Sequence, residues 1–259
     1  MKFVALLAAF AALHFAAPAH ADARDDIRAR GILRVAVPQD SPPFGSVGKD
    51  MALRGYDIDV AALLAKDLGV KLEMTPVSSA NRLPYLQTKK VDVIIYSLGR
   101  SAEREKVIDF TAPYAMIFSG VFGAPSVKVA KAEDLAGKTV GVSRGSLEDL
   151  ELTKMAPAST TIKRFEDANT TIAALLSGQV EVSASTNTVV AATIARKPPF
   201  LPELKFRIKT SPAHIGVAKN ESRLLQDINH FIAEKKKSGE LGALYQKWFG
   251  QPLPELPSE

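Results

Sequence analysis

The chain has 259 residues, 33 lysines and arginines against 28 aspartates and glutamates, a formal net charge of +5 and no cysteine. The missing cysteines exclude disulfides, thiolate metal sites, a cysteine nucleophile and a lipid-modified cysteine anchor. The mild positive charge forms no dense Lys/Arg stripe among aromatics, and Lys235-Lys236-Lys237 falls late in a helical stretch, where a solvated face and the helix dipole account for it. No nucleic-acid partner is expected.

Met1-Lys2 followed by an apolar run over residues 3–17 and then Ala19-His20-Ala21 reads as a secretory leader, cut before Asp22. Residues 1–21 are therefore a signal peptide, and the mature chain is expected free in the periplasm. Beyond the leader no apolar stretch approaches the roughly 20 residues of a membrane helix.

The mature chain alternates strands and helices. Residues 32–37 form an apolar strand, 56–68 a helix with Asp57 as its cap, 71–77 a strand, 81–88 a short helix and 91–96 a buried strand. The alternation restarts after Gly120, with strands over 139–142, 161–165 and 180–184 and helices over 147–154, 169–176 and 187–196. A strand at 215–218 and helices at 222–237 and 241–249 complete the chain. Strands separated by helices imply parallel sheets, in which ligands sit at the carboxyl ends of the strands.

Several blocks occur in a telling order: Leu33-Arg34-Val35-Ala36-Val37 with Pro42-Pro43-Phe44, Gly55-Tyr56-Asp57-Ile58-Asp59, Val91-Asp92-Val93, Glu103-Arg104, Ile108-Asp109-Phe110, Asp134-Leu135-Ala136-Gly137-Lys138 and Lys247-Trp248-Phe249-Gly250. Together they resemble the polar-amino-acid class of bacterial extracellular solute-binding proteins, family 3, of ABC importers. Ser79-Ala80-Asn81-Arg82-Leu83-Pro84 is most similar to the acidic-amino-acid binders.

The resemblance implies an α/β, two-lobed periplasmic-binding-protein fold (type II, clamshell), each lobe a mostly parallel sheet flanked by helices. Lobe 1 would comprise 22–118 and 211–259 and lobe 2 residues 119–210. It implies a monomer without cofactor or metal that closes on a small carboxylate-bearing ligand and docks on permease subunits at the inner membrane. The same resemblance assigns the ligand's α-carboxylate to Arg104, with the Gly145-Ser146 turn gripping it from the second lobe through backbone N–H groups. Ser97, Gly99 and Ser79 fall on the expected cleft loops.

Three departures bear on the ligand. Thr186 stands where relatives carry the carboxylate for the ligand's ammonium, so either Asp40 replaces it or the ligand has no ammonium. Ser41 and Ser79 replace ring-clamping aromatics, and Gly99-Arg100-Ser101 replaces a Thr-x-Thr. With Arg82 and Arg100 on cleft loops beside Arg104, the pattern leans toward a ligand held chiefly through carboxylates. Two enzyme readings stand beside this one. Gly141-Val142-Ser143-Arg144-Gly145 fits the G-x-S-x-G nucleophile elbow, with only His214 and His230 in the mature chain to serve it. A dehydratase-like enzyme on the same fold could use Glu181, Asp40 or Glu148 for proton transfer.

Overall fold

The structure, a computed structural model, describes residues 22–257; the leader lies outside the described residues. The described residues open with α1 (Ala23–Arg30), capped by Asp22, whose carboxylate accepts the Arg24 N–H at 3.0 Å, and stopped by Gly31 in the left-handed region at φ 66°. Then follow β1 (Ile32–Val37), a small antiparallel ribbon of β2 (Asp40–Ser41), β3 (Gly45–Val47) and β4 (Leu53–Arg54), α2 (Tyr56–Asp67), β5 (Lys71–Pro76), α3 (Arg82–Gln87), β6 (Val93–Gly99) and α4 (Ala102–Glu105).

A 16-residue strand, β7 (Ile108–Gly123), leads into the second half: β8 (Thr139–Ser143), α5 (Leu147–Met155), β9 (Thr161–Phe165), α6 (Ala168–Leu176), β10 (Val182–Thr186) and α7 (Asn187–Ile194). A second 16-residue strand, β11 (Glu203–Ala218), returns to the first half, where α8 (Ser222–Lys237) and α9 (Glu240–Phe249) end the fold. Among the described residues no helix is long and apolar enough to cross a membrane.

All the long strands join in one sheet of order β5-β1-β6-β11-β7-β10-β8-β9. The outer pairs β1/β5, β1/β6, β8/β9 and β8/β10 are parallel, as βαβ crossovers require. Only the central β7/β11 pair and its contacts with β6 and β10 are antiparallel. The buried apolar residues divide accordingly. One pair of clusters gathers residues up to Ile117 and from Ala213 onward, around Leu33, Tyr56, Tyr114 and Phe231; three others lie between Val121 and Ile208. Two cores on one shared strand pair make the two-lobed type II fold.

Two local expectations are corrected. The strand expected over 215–218 is the tail of β11, whose first half alternates polar, largely exposed residues and so lacks the apolar run that marks a strand in sequence. Asp57 does not cap α2. The N-cap is Gly55, and Asp57 turns inward, fully buried, to accept the Tyr114 hydroxyl at 2.6 Å and the Ser97 N–H at 2.7 Å.

Candidate functional site

The carboxyl ends of β1, β5 and β6 in one lobe face those of β8 and β10 in the other, and the loops leaving them enclose a polar cleft. The first lobe lines it with Asp40, Ser41, Phe44, Ser79, Arg82, Tyr96 and Ser97, the second with Ser143, Ser146, Leu147, Glu148, Ala168, Ser185, Thr186 and Val189. Of the ten residues singled out in the sequence, the cleft brings together Asp40, Ser79, Arg82, Ser97, Ser146 and Thr186. Gly99, Gly145, Arg100 and Arg104 do not line it.

Arg82 opens α3 and is only 3 % exposed. Its Nη1 donates to the Tyr96 carbonyl at 3.2 Å and its guanidinium carbon sits 4.7 Å from the Tyr96 ring centroid, while its Nε has no hydrogen-bond partner. No carboxylate of the described residues comes within ion-pair distance of it. Burial pulls its pKa down, and Tyr96, Glu148 and Asp40 oppose that pull. A buried cation with a spare donor is a costly arrangement that an anion in the cleft would relieve.

Arg104 is as buried as Arg82, yet both of its bonds go to carbonyls: Nη1 to Gly99 at 2.6 Å within its own lobe, and Nη2 to Gly145 at 3.0 Å across the cleft. Burial and the neighbouring Arg82 charge lower its pKa to about 9. Leu147 packs on Gly99 so closely that a Cβ there would lie 2.6 Å from Leu147 Cδ2. The departure at Gly99 is thus matched by Leu147 in one packing contact between the lobes.

The Gly145-Ser146 turn is also internally engaged. The Gly145 N–H donates to the Asp149 carboxylate at 3.0 Å, the Ser146 N–H to the Ser143 carbonyl at 3.2 Å, and Ser146 Oγ caps α5 through the Asp149 N–H at 3.1 Å. Thr186 caps α7, accepting the Val189 N–H at 3.3 Å. Arg100 points elsewhere: its guanidinium lies 5.5 Å from the Phe110 ring centroid and 3.5 Å from Glu105, on a depression shared with Lys209 and His214.

Among the described residues, the buried carboxylates Asp40 and Glu148 face the cleft. Asp40 receives the Tyr96 hydroxyl at 3.1 Å on Oδ1 and, across the lobes, the Ala168 N–H at the start of α6 at 2.6 Å on Oδ2. Burial raises its pKa against those donors. Glu148, 7 % exposed in the first turn of α5, accepts the Ser119 hydroxyl at 2.7 Å on Oε1. The sequence marks Glu148 only as a possible acid; its signal as a cleft residue is its place in the first turn of a helix that follows a cleft loop. Tyr96 and Ser185 also line the pocket and went unmarked, because their apolar or small-residue strands read as core.

Among the described residues no histidine hydrogen-bonds Ser143 of the elbow motif. Ser143 Oγ lies 3.2 Å from Thr171 Oγ1, His214 Nδ1 is 2.7 Å from the Thr111 carbonyl in the other lobe, and His230 is exposed on α8. Glu181 is exposed, pairs with Lys138 and accepts the Thr139 N–H, outside the cleft lining.

The family model for bacterial extracellular solute-binding proteins, family 3, matches residues 33–251. The chain belongs to this family. The L-cystine-binding protein TcyJ of Escherichia coli K12 is 29 % identical over 230 residues, covering 86 % of this chain and 85 % of its own. Among solved structures, a mutant of the arginine-binding protein ArgBP of T. maritima superposes with a TM-score of 0.82 at 31 % identity, covering 88 % of this chain and all of its own. The ancestral amino acid-binding protein AncCDT-1, a precursor of cyclohexadienyl dehydratase, does so with a TM-score of 0.78 at 29 % identity, covering 88 % of this chain and 99 % of its own. A solute-binding protein of this family needs a cleft that receives a solute between two lobes, and the pocket around Arg82 has that position.

Proposed function

We propose that this chain is a periplasmic, monomeric component of an ABC importer that captures a small carboxylate-bearing solute, a polar or acidic amino acid or a related organic acid, and presents it to the membrane permease. The observation that carries the reading is Arg82: a guanidinium 3 % exposed, lining the cleft, with Nε unpartnered. A planar fork of donors in a desolvated pocket matches a carboxylate better than any neutral group. The relatives named for L-cystine and arginine support the amino-acid class. Ligand would sit between the lobes, where the cross-lobe bonds of Arg104 and Asp40 favour the closed form that a permease would recognise.

A thermal-shift screen of the L-amino acids and their dicarboxylate relatives tests this. A true ligand at about a hundred times its dissociation constant adds roughly 2.7 kcal/mol of stability. Arg82→Ala should abolish that shift and Arg82→Lys should restore little, since lysine lacks the fork. An undiminished shift in Arg82→Ala removes Arg82 as the anchor.

A second reading, an exported dehydratase, rests on Glu148 as a buried acid in the cleft and on the likeness to AncCDT-1. It requires turnover: chromatography of a bound solute after prolonged incubation would show a dehydrated product, whereas a binding protein returns the solute unchanged.

A further inference from the structure

We propose that the solute anchored at Arg82 carries an apolar arm several carbons long, and that this arm leaves the cleft pocket past Asp40 to lie in a groove formed by α6, α7 and the β2–β3 ribbon. The inference rests on the reading of Arg82 as the carboxylate anchor and narrows the solute to acids with an apolar extension.

The pocket around Arg82 encloses about 50 Å³, room for a few waters at roughly 10–15 Å³ each and so for a head group alone. Beside it lies a groove of about 420 Å³, a volume typical of small-molecule sites. Asp40 of the first lobe and Val189 of the second line both, so the two spaces share a wall. Helical spacing builds the groove. α6 turns Asn169, Ile172, Ala173 and Leu176 to it, and α7 turns Val189, Ala192 and Thr193, each set recurring at intervals that keep one helix face. Pro42 and Val47 add apolar lining from the first lobe.

This lining suits hydrocarbon. Thr193 gives its hydroxyl to the Val189 carbonyl at 2.9 Å, and each Asp40 oxygen already holds a donor, Tyr96 on Oδ1 and the Ala168 N–H on Oδ2. An apolar chain passing them therefore strips no buried group of its partner. Gln39, Asn169 and Arg196 are exposed and keep their polar ends in water at the rim. Ser41, the residue after Asp40, stands in place of a ring-clamping aromatic and leaves that side of the head-group pocket unblocked. Because the groove takes its walls from both lobes, an arm lying in it is covered only when the lobes are closed, and its burial adds to closure.

Calorimetry with a chain-length series tests this: L-2-aminobutanoate, L-2-aminohexanoate and L-2-aminooctanoate, with butanoate, hexanoate and octanoate as heads without the amine. Each is measured on wild type, on Arg82→Ala, and on two variants that fill the groove from different helices, Ala173→Trp and Ala192→Phe. Ala173 is exposed on α6, so the fold tolerates the larger ring there. Complete burial of the arm would gain roughly fourfold in affinity per methylene. We expect wild type to gain tenfold or more from the butanoate to the octanoate member of at least one series. The filled variants should weaken the octanoate member at least tenfold and leave the butanoate member within threefold, and Arg82→Ala should lose both. Equal affinity along both series overturns the inference while leaving the anchor at Arg82 standing, and this comparison needs no variant. A gain with length that persists in both folded groove variants puts the arm elsewhere and also overturns it. Octanoate binding that survives Arg82→Ala but is lost in Ala173→Trp makes the groove a separate apolar site, which overturns the inference together with the anchor. Absence of binding by all six probes overturns the inference, and the thermal-shift screen of amino acids and dicarboxylates then judges the carboxylate reading by itself.

Discussion

Leu147 of the second lobe occupies the space that a side chain at Gly99 of the first would need, its Cδ2 lying 2.6 Å from where a Cβ would stand. The contact couples two loops on opposite sides of the cleft, so neither position can change alone without moving the other. Gly99→Thr should push Leu147 aside or part the lobes, at about 1–3 kcal/mol for overpacking, with the flexible end of the leucine favouring the low figure. Leu147→Thr alone opens a gap. The double variant should regain at least about 1 kcal/mol relative to the sum of the singles, read as the coupling in a urea-denaturation cycle. Strict additivity would mean the contact carries no energy.

Arg104 joins the two lobes directly through its bond to the Gly145 carbonyl. Removing its 3.0 Å bond to the Gly145 carbonyl takes away one charge-assisted hydrogen bond between the lobes, about 1.5–3 kcal/mol. Arg104→Ala is therefore expected to weaken ligand affinity roughly 10- to 100-fold through a smaller closed population. The ligand-free protein should also show a larger radius of gyration in X-ray scattering. Asp40→Asn, which weakens the carboxylate's hold on the Ala168 N–H, should shift the same curve in the same direction. A ligand-free scattering profile unchanged in both variants, with binding lost only in Arg104→Ala, would instead put Arg104 on the ligand itself.

Asp57 gives a pH dependence with a definite sign. Burial lifts its carboxyl to about 7, against the pull of the Tyr114 and Ser97 donors. A carboxyl raised in the folded state binds its proton more tightly there than in the unfolded chain. The stabilisation is complete below the unfolded value near 4 and is lost as pH rises toward 7, with a slope of at most about 1.4 kcal/mol per pH unit. Asp57→Asn cannot titrate. The melting curves of wild type and Asp57→Asn, compared from pH 4 to pH 8, should show wild type losing stability relative to the variant with rising pH across that window and running parallel above it.

Ser143 should stay unlabelled by a fluorophosphonate probe under conditions that label a serine hydrolase fully. Its hydroxyl lies 3.2 Å from Thr171 Oγ1, and His214 is held by the Thr111 carbonyl in the other lobe. Mass spectrometry of the Ser143 peptide reads the result directly, and stoichiometric labelling would reinstate the nucleophile.

The alternating strands and helices, the two-lobed fold and the family were legible in the chain, because parallel βαβ units write their periodicity locally. Strands such as residues 32–37 and 161–165 match their observed bounds, as does α8. Which lobe Arg82, Asp40 and Glu148 project from also follows from their place in that order. What the sequence could not determine was how the cleft side chains pair across the lobes. Arg104 bonding Gly145, Leu147 filling the room at Gly99 and Asp40 reaching the start of α6 each join residues at least 41 positions apart. Such contacts depend on side-chain volume and on which donor reaches which acceptor once the lobes meet. Only the tertiary structure, which brings the carboxyl ends of both sets of strands to one cleft, decides which charges are satisfied by the protein and which remain for the solute.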